Sequence, residues 1–286
     1  MNPADRPGWY DLAVAEEVRT GRTGKPRARG ITMVIDTGLG LSQTAELLDM
    51  AGQWIDHWKL SFGTSALVPE PVLRKKLELI NSTGTLTFPG GTLFEAATAH
   101  RHCRHYMRAA RRMGFTAVEI SEGTFDLPPE RRRRAIECGL SADLIVISEV
   151  GKKDPETQPE PEDLASQVLT DLEWGSSWVV MEGRESGTGV GVYDTAGHVD
   201  LEAVETVAAR IGEANQRLVW EAPLKEQQTT LIDRFGMNVN LGNIAPERVL
   251  ALEALRSGLR YETLRSVTAR LEEQKILEIE RPEPED

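Results

Sequence analysis

The 286-residue chain carries 33 Lys and Arg against 45 Asp and Glu, a formal net charge of -12, which excludes a partner held through its phosphate backbone. Two cysteines, Cys103 and Cys138, are too few for a disulfide framework and suit a reducing compartment. The polar N-terminus is no signal peptide and no apolar run reaches the roughly 18 residues of a membrane span, so a cytoplasmic protein without nucleic-acid or membrane partners is expected.

In chain order, residues 1–30 read as a polar N-terminal extension, after which β-rich segments alternate with helical patterns. The predicted strands are ITMVID (31–36), WIDHWKLS (54–61), TLTFP (85–89), AVEIS (117–121), LIVISEV (144–150), WVVMEGR (178–184), RLVWEA (217–222) and VNLGN (239–243). Amphipathic stretches lie between them; the last, APERVLALEALRSG, carries Val249, Leu252 and Leu255 at helical spacing, with Pro246 near its start and Gly258 at its end. Eight strand–helix units of about 30 residues each are what a (β/α)8 TIM barrel requires. A doubly wound open sheet is the rival, but eight units without a second domain favour closure. A single α/β domain over 31–265 is therefore expected, followed by a polar, acidic tail over 266–286.

Side chains alternate between the faces of a strand, so each strand splits into two sets. Met33 and Ile35, Leu86 and Phe88, Val118 and Ile120, Val179 and Met181, and their equivalents elsewhere are assigned to the helix-facing side. The other set grows polar toward the C-terminal strand ends: Asp36, Lys59, Glu119, Glu149, Glu182, Arg184 and Glu221. In a barrel these ends form the catalytic mouth.

Five carboxylates, Asp36, Glu119, Glu149, Glu182 and Glu221, cannot share one mouth uncompensated, because like charges raise each other's pKa. Lys59 and Arg184 offset part of the charge. A divalent cation would offset most of the rest, and oxygen-only ligands suit Mg²⁺. Lys152 and Lys153 follow the fifth strand, where a lysine neutralises an anion or donates a proton. The amides of Gly242, Asn243 and Ile244 are placed near a helix start, where barrels seat phosphate, and Lys225, Gln227 and Gln228 are further donors for an anion.

The glycines of GTGVG (187–191) lack dinucleotide-fingerprint spacing and lead into VYDTAG rather than a helix, so they read as a tight rim loop whose amides approach a ligand. The histidines of HRHCRHYMRAARR (100–112) spread around a helix and are assigned to a solvated or interface face, as is RRRR (131–134).

The motifs KLSFGTS (59–65), FPGGTLFE (88–95), GFTAVEISEG (114–123), SEVGKK (148–153), EGRESGTGVG (182–191), WEAPLKEQQ (220–228) and FGMNVNLGNI (235–244), in that order at strand ends, resemble the phosphosulfolactate synthase family over roughly 30–260. The resemblance implies a carbon–sulfur lyase on a (β/α)8 barrel that uses Mg²⁺ to add sulfite to phosphoenolpyruvate through an enediolate, a step toward coenzyme M or sulfolactate. It implies a lysine as the acid, Lys152 or Lys153, with Lys152 preferred as the nearer to the strand end. Arg184 and Lys59 would hold sulfite or the substrate carboxylate, and the eighth loop with Gln228 the phosphate. Where this chain has Ser121-Glu122-Gly123, family members commonly carry Asp in the middle, which lengthens a possible contact by a methylene. A different nucleophile, or a non-catalytic role like that of plant heat-stress-associated relatives, remains the alternative, and a homo-oligomer is possible.

Overall fold

The computed structural model describes residues 8–14 and 16–265. The acidic tail expected over 266–286 lies outside the described residues. The strands are β1 (Thr32–Asp36), β2 (His57–Leu60), β3 (Leu86–Pro89), β4 (Ala117–Ile120), β5 (Ile145–Val150), β6 (Trp178–Met181), β7 (Leu218–Glu221) and β8 (Leu241–Ile244). The helices are α1 (Tyr10–Ala13), α2 (Glu16–Gly21), α3 (Leu41–Ala51), α4 (Glu70–Asn81), α5 (Gly91–Ala99), α6 (Cys103–Met113), α7 (Pro129–Leu140), α8 (Pro161–Glu173), α9 (Leu201–Ile211), α10 (Lys225–Phe235) and α11 (Val249–Arg256). Several helix starts are written in the sequence: Pro opens α7 and α8, and the Asp200 carboxylate accepts the Ala203 amide to cap α9.

The strands are parallel in the order β3-β2-β1-β8-β7-β6-β5-β4. The remaining seam, β3 to β4, is bridged by the Thr116 amide donating to the Thr87 carbonyl (3.1 Å) and by the Thr87 amide donating to Thr116 Oγ1 (2.8 Å). This is the barrel the eight-unit pattern demanded.

Two apolar layers result. Met33, Phe88, Ala117, Ile147, Val180 and Val219 meet inside the barrel, whereas Val34, Trp58, Val118, Val146, Val179, Trp220 and Leu241 pack outward against the helices. The alternation is as expected on β2 and β4 through β7. On β1 and β3 it is reversed: Met33 and Phe88 face inward, because a barrel interior is itself a packed core and takes apolar side chains as readily as the helix layer does.

The floor is closed by the segment 22–30. Arg22 grips Glu253 with Nε and Nη2, each at 3.0 Å, Lys25 Nζ donates to the Gly52 and Ile55 carbonyls (3.1 and 2.6 Å), and Arg27 pairs with Asp56 at 3.1 Å. No helix among the described residues is long and apolar enough to cross a membrane.

Candidate active site

The strand ends of β2, β4, β5, β6 and β7 deliver Lys59, Glu119, Glu149, Glu182 and Glu221 to one cavity of about 260 Å³, which Ser61, Lys153, Arg184 and Asn243 also line. Lys59 is its internal cation. Its ammonium donates to Glu119 (3.0 Å), Glu149 (3.2 Å) and Glu221 (2.8 Å), which engages all three of its protons. Burial alone would lower its pKa, but the three carboxylates hold it well above the ordinary lysine range. Lys59 is therefore in the mouth as foreseen, but as a neutraliser of the acids, without a free proton for a substrate anion.

The acids differ in what they touch. Glu119 is held between Lys59 and the Gly91 amide (2.5 Å), and burial pushes its carboxyl up to about 7 against the pull of Lys59. For Glu149, burial works upward too, but Lys153 and Lys59 outweigh it and keep the group well below the usual carboxylate range. Glu182 goes the other way: burial, with Glu149 and Glu221 beside it, raises it well above that range. One oxygen each of Glu149, Glu182 and Glu221 lie within 4.8 Å of one another. Glu182 Oε2 is buried with no hydrogen-bond partner. An oxygen-only donor set with an orphaned carboxylate oxygen fits a hard divalent cation.

Backbone just past β6 aims these acids. The Gly183 amide donates to Glu221 Oε2 (3.0 Å) and the Arg184 amide to Glu182 Oε1 (2.7 Å). Gly183 has no room for a side chain, since a Cβ would meet the Glu221 carbonyl at 2.6 Å. Arg184 takes a left-handed φ of 56° and is itself tied down when Asn243 Nδ2 donates to its carbonyl (3.1 Å). Its guanidinium makes no hydrogen bond or ion pair among the described residues and lines the cavity.

The two candidate acids separate cleanly. Lys153 Nζ lies 3.3 Å from Glu95, 3.4 Å from Glu149 and 3.8 Å from Glu182, inside the mouth. Burial would depress it, but Glu149, Glu182 and Glu95 raise it, so it carries its proton across the neutral range. Lys152 points away, bound to the Glu122 carbonyl (2.9 Å) and to Asp126 (2.9 Å). Lys152, the one preferred from the sequence, thus lies outside the mouth: adjacent loop residues diverge, and closeness to the strand end does not decide which one turns inward.

Other expectations fail for similar reasons of direction. Asp36 ends β1 on the helix side, where it accepts Trp58 Nε1 (2.9 Å), Lys76 Nζ (2.5 Å) and the Gly38 and Leu39 amides (2.8 Å each), so it cannot join the mouth acids. Lys225 is on the surface, paired with Glu226 (3.2 Å) and Glu262 (2.6 Å). Gln228 donates to the Ala222 carbonyl at 2.9 Å, away from the cavity lining. Gly242, Asn243 and Ile244 belong to β8 rather than to a loop before a helix; Gly242 lets Met33 fill the interior, Ile244 packs outward, and Asn243 alone reaches the mouth.

The GTGVG glycines have φ values of 67°, 70° and 61° at Gly187, Gly189 and Gly191, but their loop presses on the barrel, not on a ligand space. A Cβ on Gly191 would collide with the Glu182 carbonyl, and Gln227 Nε2 pins the loop through Gly187 O (2.7 Å) and Gly197 O (3.0 Å). Glu122 accepts the Leu127 amide (3.0 Å) outside the mouth, so the extra methylene there touches no site group.

Two residues escaped the sequence reading. Glu95 of α5 is buried and accepts Ser121 Oγ (2.6 Å), the Gly123 amide (3.1 Å) and Lys153. Arg132, read as part of a solvated run, is buried; it forks onto Asp171 (2.8 and 2.5 Å) and donates to the Glu149 carbonyl (2.9 Å). Placement of Glu in the FPGGTLFE motif was a signal for the first; for the second, proline at the helix start leaves one residue of the run facing the barrel.

Comparison with known proteins identifies the family. Residues 20–262 match the family model described as (2R)-phospho-3-sulfolactate synthase (ComA). A phosphosulfolactate synthase of Methanothermobacter thermautotrophicus is 41% identical over 248 residues, 86% of this chain and 95% of that protein. One from Methanocaldococcus jannaschii is 38% identical over 241 residues, 84% and 95% of the two chains. Among solved structures, the YdjI aldolase of Escherichia coli K12 superposes with a TM-score of 0.52 at 14% identity, covering 87% of this chain and 91% of that one, which supports the barrel alone. With a match this long and relatives this similar, the chain belongs to the phosphosulfolactate synthase family of carbon–sulfur lyases.

Proposed function

We propose that the mouth joins sulfite to phosphoenolpyruvate with Glu149, Glu182 and Glu221 holding a magnesium ion, Arg184 gripping the anionic reactants and Lys153 supplying the proton. The observation that carries this reading is a set of groups facing one space without hydrogen-bond partners. Ser61 Oγ, Glu182 Oε2 and Asn243 Oδ1 are buried without hydrogen-bond partners, and the Arg184 guanidinium stands beside them. Buried polar groups are ordinarily satisfied, so such a cluster is a place prepared for a polar ligand.

When bound, magnesium supplies Lewis-acid polarisation of the substrate carboxylate. The chain's residues do the rest. The planar fork of Arg184 suits a carboxylate or sulfite, and the first turn of α5, with Gly91 and Thr92 at the cavity wall, favours a phosphate. The sulfite sulfur forms a bond to the methylene carbon of phosphoenolpyruvate, and the π pair moves onto carbon 2 and the carboxylate as an enediolate. The Lys153 ammonium gives a proton to carbon 2, the carbon bearing the phosphate ester. Its side chain is 30% exposed, so water restores the proton. Nothing leaves, and the product is 2-phospho-3-sulfolactate.

The test is incubation of the purified protein with phosphoenolpyruvate, sulfite and Mg²⁺. The sulfonate adduct forms only with all three present; consumption of phosphoenolpyruvate without sulfite would identify a different nucleophile and overturn the reading.

A further inference from the structure

Away from the mouth, a cavity of about 560 Å³ opens on the outer face between α6, α7 and the segment 125–127. Arg101, Arg104, Arg131 and Arg134 line it, and a groove of about 470 Å³ continues past Arg104 and Arg134 to Arg108. None of these five guanidiniums makes a hydrogen bond or ion pair among the described residues. The acids within reach are engaged already: Asp126 pairs with Lys152 at 2.9 Å and Glu137 with Arg133 at 3.0 Å. In a chain of net charge -12, four unmatched positive charges around the cavity and a fifth in the adjoining groove form a local anion field opposite in sign to the whole.

The floor is different. Ala99, Phe125, Leu127 and Ala135, with Cys103 and Cys138, present carbon and sulfur. Burial pushes the Cys103 thiol up to about 11, so the floor carries no thiolate there at neutral pH. An apolar floor under a guanidinium rim, in a volume of the usual small-ligand range, selects a ligand with an apolar body and an anionic head. A long acidic protein segment would match the charge but leave the floor uncovered.

We propose that this cavity is a second binding site, independent of the lyase mouth, for a small organic anion carrying a phosphate or sulfonate group on an apolar body. The arginines hold the head by forked hydrogen bonds and Phe125 and Leu127 cover the body.

The experiment is a calorimetric titration of the full chain with phenyl phosphate at constant ionic strength, alongside inorganic phosphate. Phenyl phosphate is expected to bind the wild type and an Arg184→Gln variant alike, since Arg184 belongs to the mouth. The double variant Arg104→Gln/Arg134→Gln should weaken binding by about tenfold or more, the loss of two charge-assisted forks. These arginines are exposed, and an unchanged melting temperature verifies the fold of the double variant. Inorganic phosphate should bind several-fold more weakly for want of the floor. Affinity unchanged in the double variant, equal affinity for the two probes, or a change of molecular mass in place of lost binding would each overturn the site, the last because it would make the arginines a contact between copies.

Discussion

Two kinds of buried acid occupy this barrel, and the layer each faces separates them. Asp36, on the helix side of β1, has four donors within 2.9 Å, and Asp171 is matched by the fork of Arg132. Glu182, on the mouth side of β6, keeps an oxygen without a hydrogen-bond partner, with only the Lys153 ammonium at 3.8 Å, beside two more carboxylates. A saturated acid welds elements together; an unsaturated one has been left ready for something not made of protein. Both look alike as letters at a strand end. Lys152 and Lys153 repeat the contrast with the opposite charge, one tied to a loop and the other aimed into the mouth.

The sharpest way to break that contrast is to truncate the two lysines. Lys153→Ala should lower kcat by about 10²–10⁴-fold, the usual worth of a positioned acid, and Lys152→Ala by a few-fold at most, in steady-state assays of adduct formation. Comparable losses from the two would erase the distinction. Next in size is Asp36→Asn, which leaves Lys76 buried without its carboxylate. Urea unfolding should show a loss of about 3–5 kcal/mol, while kcat of the folded fraction stays near wild type. A loss of turnover without a loss of stability would instead place Asp36 among the functional acids.

Arg184→Gln sharpens the account of the mouth itself. Removing a charged hydrogen bond to the reactants should raise KM about 10- to 100-fold, with a smaller change in kcat, and Arg184→Lys should recover part of it. Unchanged KM values for both reactants would remove Arg184 from the grip. The last effect, the smallest per unit of change, concerns a group that is buried away from the mouth acids. His57 packs inside the barrel, its ring centroid 5.2 Å from that of Trp178, and burial, with Lys25 adding to it, lowers its pKa to about 3. The unfolded chain takes up that proton below about pH 6.5 and the folded barrel does not until about 3, so stability is lost as pH falls through this window. Relative to His57→Gln, the wild type should lose about 1.4 kcal/mol more per pH unit between pH 6 and 4, read from urea midpoints. Parallel pH profiles would show that His57 is protonated in the folded state.

Much of this was legible in the sequence. All eight strands lie where their β-rich segments stand, and Lys59, Glu119, Glu149, Glu182, Arg184 and Glu221 do converge. Direction was harder to read. On β4 to β7 the inner face changes from apolar to acidic along the strand, so polarity reveals the mouth. On β1 the run Met33-Val34-Ile35 is apolar on both faces, and nothing local says that Ile35 looks inward and Asp36 outward. Glu95 and Arg132 sit on helices, and their roles depend on partners 26 to 58 and 17 to 39 residues away, a separation that periodicity does not report.

The central claim is that Glu149, Glu182 and Glu221 together hold a divalent cation. Calorimetric titration of Mg²⁺ into the chelator-stripped protein, its Glu182→Gln variant and an Asp126→Asn control at an exposed acid tests it directly. The account requires one ion per chain in wild type and control, with binding lost in Glu182→Gln. No uptake by the wild type, or the same affinity in all three, would contradict it.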